Sequence, residues 1–303
     1  MACSFPIQAY RLPGGTIQFH DVGSGTPLEL PCGQCVTCRL EKSRRWAMRC
    51  MHEASLHDDN CFITLTYNSE NIPSDGGLVK ADFQKFMKRL RKRFPDKKIR
   101  YFMCGEYGDN SNRPHYHAVL FGFTFNDCIL ATRSNSGFDV YTSPTLESIW
   151  GLGFVTVGSV TFESCAYVAR YVMKKINGPL ANQIDPDTGL KPYDRFDSLT
   201  GEIVEVIPEY CAMSRRPGIA HDWIMKYATD CYPKGFTTIN GVQVGLPRYY
   251  DQVIESEQPE LFAPVKEARI QAAYDNSDEN SESRLRQKLI VKEAQNSQLK
   301  RSL

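Results

Sequence analysis

Phe83, Phe86, Met87, Leu90 and Phe94 recur three and four residues apart, with lysines and arginines between them. That rhythm lays the apolar side chains along one stripe of an amphipathic helix, read over 79–94. A second helix is read over 36–57, where Val36, Leu40, Trp46, Met48 and Met51 are interleaved with Arg39, Lys42, Arg44, Arg45 and Arg49. Four other stretches are rich in β-branched and aromatic residues and read as strands: Cys61 to Tyr67, Ile99 to Glu106, His115 to Phe123 and Gly153 to Val160. The polar run Tyr107 to Pro114 joins the second and third of these as a hairpin. Phe162 to Ile176 reads as a helix stopped by Asn177-Gly178-Pro179, and Ile219 to Tyr227 as another. Residues 1–30 read as irregular, on the turn signals Pro13-Gly14-Gly15 and Gly23-Ser24-Gly25. Residues 177–212 are turn-rich, with room for one short hairpin.

Helices and strands mixed in this order, with short connections, predict an α+β fold: an antiparallel sheet of four to five strands with helices packed on it. The chain divides into a cysteine-rich, basic N-terminal segment packed on the core (1–58), the core itself (59–178), a C-terminal extension of the core (179–250) and a helical or disordered tail (251–303).

Composition narrows the class. Of 303 residues, 42% are hydrophobic and 23% charged, as in an ordinary water-soluble domain. No apolar run approaches the roughly 18 residues of a membrane span. Met1 to Gln8 lacks the charged and apolar regions of an export signal, so the expectation is a cytosolic protein without a membrane partner. The formal net charge is +1. Its distribution is uneven: residues 1–100 hold 16 basic and 10 acidic side chains, and Lys80 to Arg100 hold ten basic against two acidic. Lys85, Lys88 and Arg89 on the 79–94 helix are candidate phosphate contacts, although a solvated helix face gives the same pattern. Arg44, Arg45 and Trp46 form a second candidate, with the indole available to stack on an unpaired base. Eleven cysteines and no export signal point to free thiols. Cys32, Cys35 and Cys38 make two successive Cys-x-x-Cys steps, which with Cys50 or His52 would offer four ligands to a structural Zn²⁺. A tight turn with small buried cysteines fits equally.

Three features carry chemistry. His115 and His117 are two apart on a strand, so both imidazoles project from one face and can share a divalent cation. Glu106 ends the preceding strand and falls opposite them if the hairpin forms; oxygen with nitrogen ligands suits Mg²⁺ or Mn²⁺. Tyr167 and Tyr171 are four apart on a helix and share a face, with Arg170, Lys174 and Lys175 alongside. Tyrosine is a covalent nucleophile in some enzymes. Surface histidines, a solvated strand end and core aromatics remain the plain alternatives for each feature alone.

Taken together and in this order, RPHYHAVLFG and YVARYVMKK resemble the motifs of the HUH endonucleases that initiate rolling-circle replication, with Tyr116 as the middle residue of His-hydrophobic-His. CFITLTY is similar to that family's first motif. PCGQCVTCRLEKSRRWAMRCMHEAS and MSRRPGIA resemble stretches of replication initiators of small single-stranded-DNA phages, the gokushovirus branch of the Microviridae. The similarity spans roughly residues 30–220. It implies a ferredoxin- or RRM-like palm. It implies metal ligation by Glu106, His115 and His117, nucleophilic Tyr167 and Tyr171, and a basic partner in Lys174. Thr64 and Thr66 would support the sheet and touch DNA; Arg215 and Arg216 would close over the strand. The implied reaction nicks and rejoins single-stranded DNA at the phage origin through a 5′-phosphotyrosine, leaving a 3′-hydroxyl for a host polymerase. Host polymerase and helicase would be partners, and the cytoplasm of the bacterial host the location. A non-catalytic single-stranded nucleic-acid-binding protein and an HUH transposase or relaxase are the competing functions.

Overall fold

Residues 3–108, 111–133, 137–170, 176, 178–239 and 241–298 are described in a computed structural model of the chain. The first elements are three short strands, β1 (Ile7–Arg11), β2 (Ile17–Gln18) and β3 (Thr26–Leu30), then α1 (Val36–Ala54). The core follows as β4 (Asn60–Tyr67), α2 (Lys80–Arg93), β5 (Arg100–Tyr107), β6 (Pro114–Phe121), β7 (Ile129–Arg133), β8 (Asp139–Thr142), α3 (Pro144–Trp150), β9 (Gly153–Gly158) and α4 (Phe162–Arg170). Beyond it lie β10 (Asp194–Phe196), β11 (Ile203–Glu205), β12 (Tyr210–Met213), α5 (His221–Cys231), β13 (Phe236–Ile239) and β14 (Val242–Gly245). Three helices end the chain: α6 (Arg248–Glu257), α7 (Pro259–Asp275) and α8 (Glu282–Gln298).

The fold is α+β, as expected, but its main sheet has seven antiparallel strands rather than four or five, in the order β12-β5-β6-β4-β9-β8-β7. The additional strands extend both edges. β12 is four residues long and pairs with β5; β7 is exposed along its whole length and pairs only with β8. Neither carries the apolar alternation that marks a strand in sequence, because neither covers the core. Residues 3–30 are likewise not irregular: β2-β1-β3 form a small antiparallel sheet.

Side-chain parity divides the central strands into two faces. On β4, Ile63, Leu65 and Tyr67 point to one face, packing with Tyr116, Ala118 and Leu120 of β6 against Phe83, Phe86, Met87 and Leu90 of α2 and Leu146, Ile149 and Trp150 of α3. The stripe read on α2 is therefore its core contact. The other face presents Phe102, Cys104, Val119 and Phe121 to Ala47 and Cys50 of α1, Cys165, Val168 and Ala169 of α4, and Trp223 and Ile224 of α5. Where β9 crosses β4, Gly153 has φ +148°, and a Cβ there would lie 2.2 Å from the amide nitrogen of Asn68. Only glycine permits that approach. Among the described residues, no helix is long and apolar enough to cross a membrane.

Candidate active site

β5 and β6 form the expected hairpin, and its register sets Glu106 directly opposite His115 and Cys104 opposite His117. Both imidazoles and the carboxylate share the face that carries α1 and α4. Glu106 Oε1 lies 2.7 Å from His115 Nε2 and 2.8 Å from His117 Nε2, and the three ligand atoms fall within 4.8 Å of one another. Burial alone would raise the Glu106 carboxyl, which is 1% exposed, but the hydrogen bonds and charge of the two imidazoles outweigh it and hold it at about 2.

Each ring is oriented from behind. His115 Nδ1 donates to the carbonyl oxygen of Arg113 at 3.0 Å, which leaves Nε2 with the lone pair in the neutral ring. Arg113 is itself tied back through its guanidinium to the Tyr67 carbonyl oxygen at 2.8 Å. His117 Nδ1 meets the Thr64 hydroxyl at 2.9 Å, and Phe62 stacks on the ring with centroids 5.7 Å apart. Lone pairs on Nε2 and on a carboxylate oxygen do not converge at this range without a proton or a cation to offset their repulsion. Two oriented imidazoles and one ionised carboxylate, with their outer nitrogens already bonded, fit a divalent cation.

α4 brings Tyr167 to the same place. Its ring meets His117 edge-on at 5.0 Å between centroids and Phe62 at 6.3 Å. The helix is braced from α1, whose Ser43 hydroxyl donates to the Ala166 carbonyl oxygen at 3.3 Å. A cleft of about 670 Å³ opens beside Tyr167 and His117, lined also by Thr64, Phe138, Tyr141 and Thr156. Thr66 pairs with His115 across β4 and β6 and completes the row on this face. Tyr171, Lys174 and Lys175, and the side chain of Arg170, lie outside the described residues.

The comparisons with known proteins agree with this layout. The family model for replication-associated proteins of the ORF2 type matches residues 60–176, from β4 to just past α4. Over 273 residues the chain is 33% identical to replication-associated protein VP4 of Bdellovibrio phage phiMH2K, covering 86% of this chain and 80% of that protein. The chain belongs to the phage replication-associated proteins. It is also 30% identical over 300 residues to replication-associated protein ORF2 of Spiroplasma virus 4, covering 90% of this chain and 87% of that one. With replication-associated protein ORF4 of Chlamydia phage 1 it shares 30% over 235 residues, 74% of this chain and 53% of that protein. No solved structure matches the chain.

Within this replication-associated protein, other expected contacts lie apart from the site. Lys85, Lys88 and Arg89 ride on α2, on the opposite side of the sheet from Glu106, His115 and His117. Arg89 is engaged by the carbonyl oxygens of Ile149 and Trp150 at the end of α3, at 2.7 and 2.8 Å. Charge patterning showed that α2 was basic but not which face of the sheet it covers. Arg215 and Arg216 are exposed just beyond β12, whose Met213 pairs with Phe102, at the end of β5 away from Glu106. Trp46 is a packing residue, stacked on Phe102 at 4.7 Å beneath the Arg49 guanidinium, and Arg44 and Arg45 pair with Glu41. Cys50 is buried in the α1–α4 core and does not join Cys32, Cys35 and Cys38. The sequence reading missed Arg113, Phe62 and the cleft residues Phe138 and Tyr141. Phe62 was accessible by parity, two residues before Thr64; Phe138 and Tyr141 depended on a hairpin that the sequence did not mark.

Proposed function

We propose that this protein initiates phage DNA replication by nicking and rejoining single-stranded DNA at the origin, through metal-assisted transesterification to tyrosine. One observation carries the reading: the convergence of both histidine Nε2 atoms on Glu106 Oε1, with the Tyr167 ring edge-on to His117 on the same face. Glu106, His115 and His117 would hold a divalent Mg²⁺ or Mn²⁺ ion, which supplies charge stabilisation to phosphate oxygens. Thr64 and the Arg113 carbonyl keep the two rings in their ligating tautomers. The α4 helix sets the Tyr167 phenol over the cleft, where a flanking nucleotide has room beside Phe138 and Tyr141.

Tyr167 or Tyr171 attacks the scissile phosphorus in line. The phenol proton is lost, the phosphorus–O3′ bond breaks, and the 3′ oxygen leaves as a hydroxyl once protonated. The 5′-phosphotyrosine conserves the ester bond, so a 3′-hydroxyl can later displace the tyrosine and close the strand without a nucleotide cofactor. Two tyrosines four apart on one helix allow one to cut while the other still holds DNA. The free 3′ end would be used by host polymerase and helicase in the cytoplasm of the infected cell.

The test is adduct formation with a single-stranded origin oligonucleotide. The chain with Mg²⁺ or Mn²⁺ yields an SDS-resistant protein–DNA species, and EDTA abolishes it. The Tyr167→Phe, Tyr171→Phe double variant loses it by about a thousandfold or more. Salt-sensitive binding with no adduct under either metal would instead identify a non-catalytic nucleic-acid-binding protein.

A further inference from the structure

We propose that Cys3, Cys32, Cys35 and Cys38 form a structural Zn²⁺ site that fastens the N-terminal sheet to the start of α1. The four Sγ atoms lie within 4.8 Å of one another, although Cys3 is 29 residues before Cys32. Cys3 Sγ and Cys35 Sγ are 3.9 Å apart. Tetrahedral thiolate ligation at a Zn–S distance of about 2.3 Å gives sulfur separations of about 3.8 Å. A disulfide would need sulfurs about 2.05 Å apart.

The backbone is arranged to support thiolates. The amide of Cys32 donates to Cys3 Sγ at 3.2 Å, that of Cys35 to Cys32 Sγ at 3.3 Å, and that of Cys38 to Cys35 Sγ at 3.5 Å. Amide donors placed in this way orient sulfur ligands and offset their charge. Cys35 is the N-cap of α1, where the helix dipole is positive. The turn between Cys32 and Cys35 depends on Gly33, at φ +73°. Ser4 and Thr37 add a hydroxyl contact at 3.0 Å across the same junction. Four thiolates without imidazole or carboxylate select a soft ion over Mg²⁺ or Mn²⁺, and a complete set of four makes the site structural.

The N-terminal sheet has need of such a fastening. Ala9 is the one buried residue in its three strands, while Phe5, Ile7, Ile17 and Phe19 are exposed. A segment with so little core of its own is held by a covalent or metal staple. Fixing the first turn of α1 also steadies the helix that braces α4 through Ser43.

Metal analysis of the full-length chain, purified under reducing conditions, tests the proposal. It predicts about one Zn²⁺ per chain, retained in a His115→Ala, His117→Ala variant and lost in Cys35→Ser, Cys38→Ser. Should the cysteine variant not fold, Co²⁺ exchange into the unaltered chain decides: tetrathiolate ligation gives intense sulfur-to-cobalt charge-transfer bands and tetrahedral d–d bands. Sub-stoichiometric zinc in folded protein, iron in its place, loss of the zinc with the histidines, or Co²⁺ spectra without sulfur bands would overturn it.

Discussion

The two faces of the main sheet are built from the same strands yet serve different ends. On the face under α2 and α3, the buried residues are nearly all apolar, and their few polar atoms serve packing. Tyr116 is the clearest case. It stands between the two site histidines in sequence, points the opposite way, and its hydroxyl bonds both the amide and the carbonyl of Val79, at 2.9 Å each. Val79 is the N-cap of α2 and has no side-chain cap of its own, so a sheet tyrosine supplies that role. The face under α1 and α4 is divided along its length. At one end Glu106, His115 and His117 converge. At the other, Arg100 pairs with Glu53 and donates to the carbonyl oxygens of Pro217 and Gly218. One residue step along a strand is thus enough to separate reactive chemistry from structural support.

This division fails if a substitution on one face acts through the other. Trp150→Ala removes a fully buried indole from the α2–α3 side. It should cost about 3–5 kcal/mol of stability in a denaturant titration, while adduct yield per folded molecule stays unchanged. Thr64→Val removes the partner of His117 Nδ1. It should weaken Mn²⁺ binding about tenfold by calorimetry with little change in melting temperature.

A pH titration separates the structural end of the second face from its reactive end. His52, stacked on Trp223 with centroids 3.5 Å apart and bonded to the Tyr250 hydroxyl, is pushed by burial down to about 4 from 6.5. The unfolded chain therefore binds a proton first as pH falls. The stability contribution is full above about 6.5, declines from there to about 4, and stays lost below. A His52→Gln variant should flatten that slope in thermal melts from pH 7 to pH 4. The smallest effect is expected of Tyr116→Phe, which removes the cap on α2 and should cost about 1 kcal/mol without altering adduct yield.

The elements legible in sequence are those whose side chains meet the core. α2 and β4 were readable because their apolar spacing is the imprint of burial. β7 and β12 were not, because an edge strand is held by backbone hydrogen bonds that leave no mark on composition. The Glu106, His115 and His117 group was legible because strand parity and one hairpin suffice to build it. Cys3 was not, since no local rule joins it to a turn 29 residues away. The basic first third was only half informative. Arg49 donates to the Ile219 carbonyl oxygen, and Arg89 and Arg100 are also engaged internally. Much of that positive charge therefore holds the fold together instead of lining a DNA track.

In the proposed reaction, the histidine-bearing face and the tyrosine helix act as one active site. Peptide mapping of the trapped protein–oligonucleotide adduct by mass spectrometry tests this most directly. A nucleotide remnant is expected on Tyr167 or Tyr171, formed only with a divalent ion and absent when Glu106 is replaced by glutamine. A remnant on any other residue, or an adduct that forms equally well in Glu106→Gln, would contradict it.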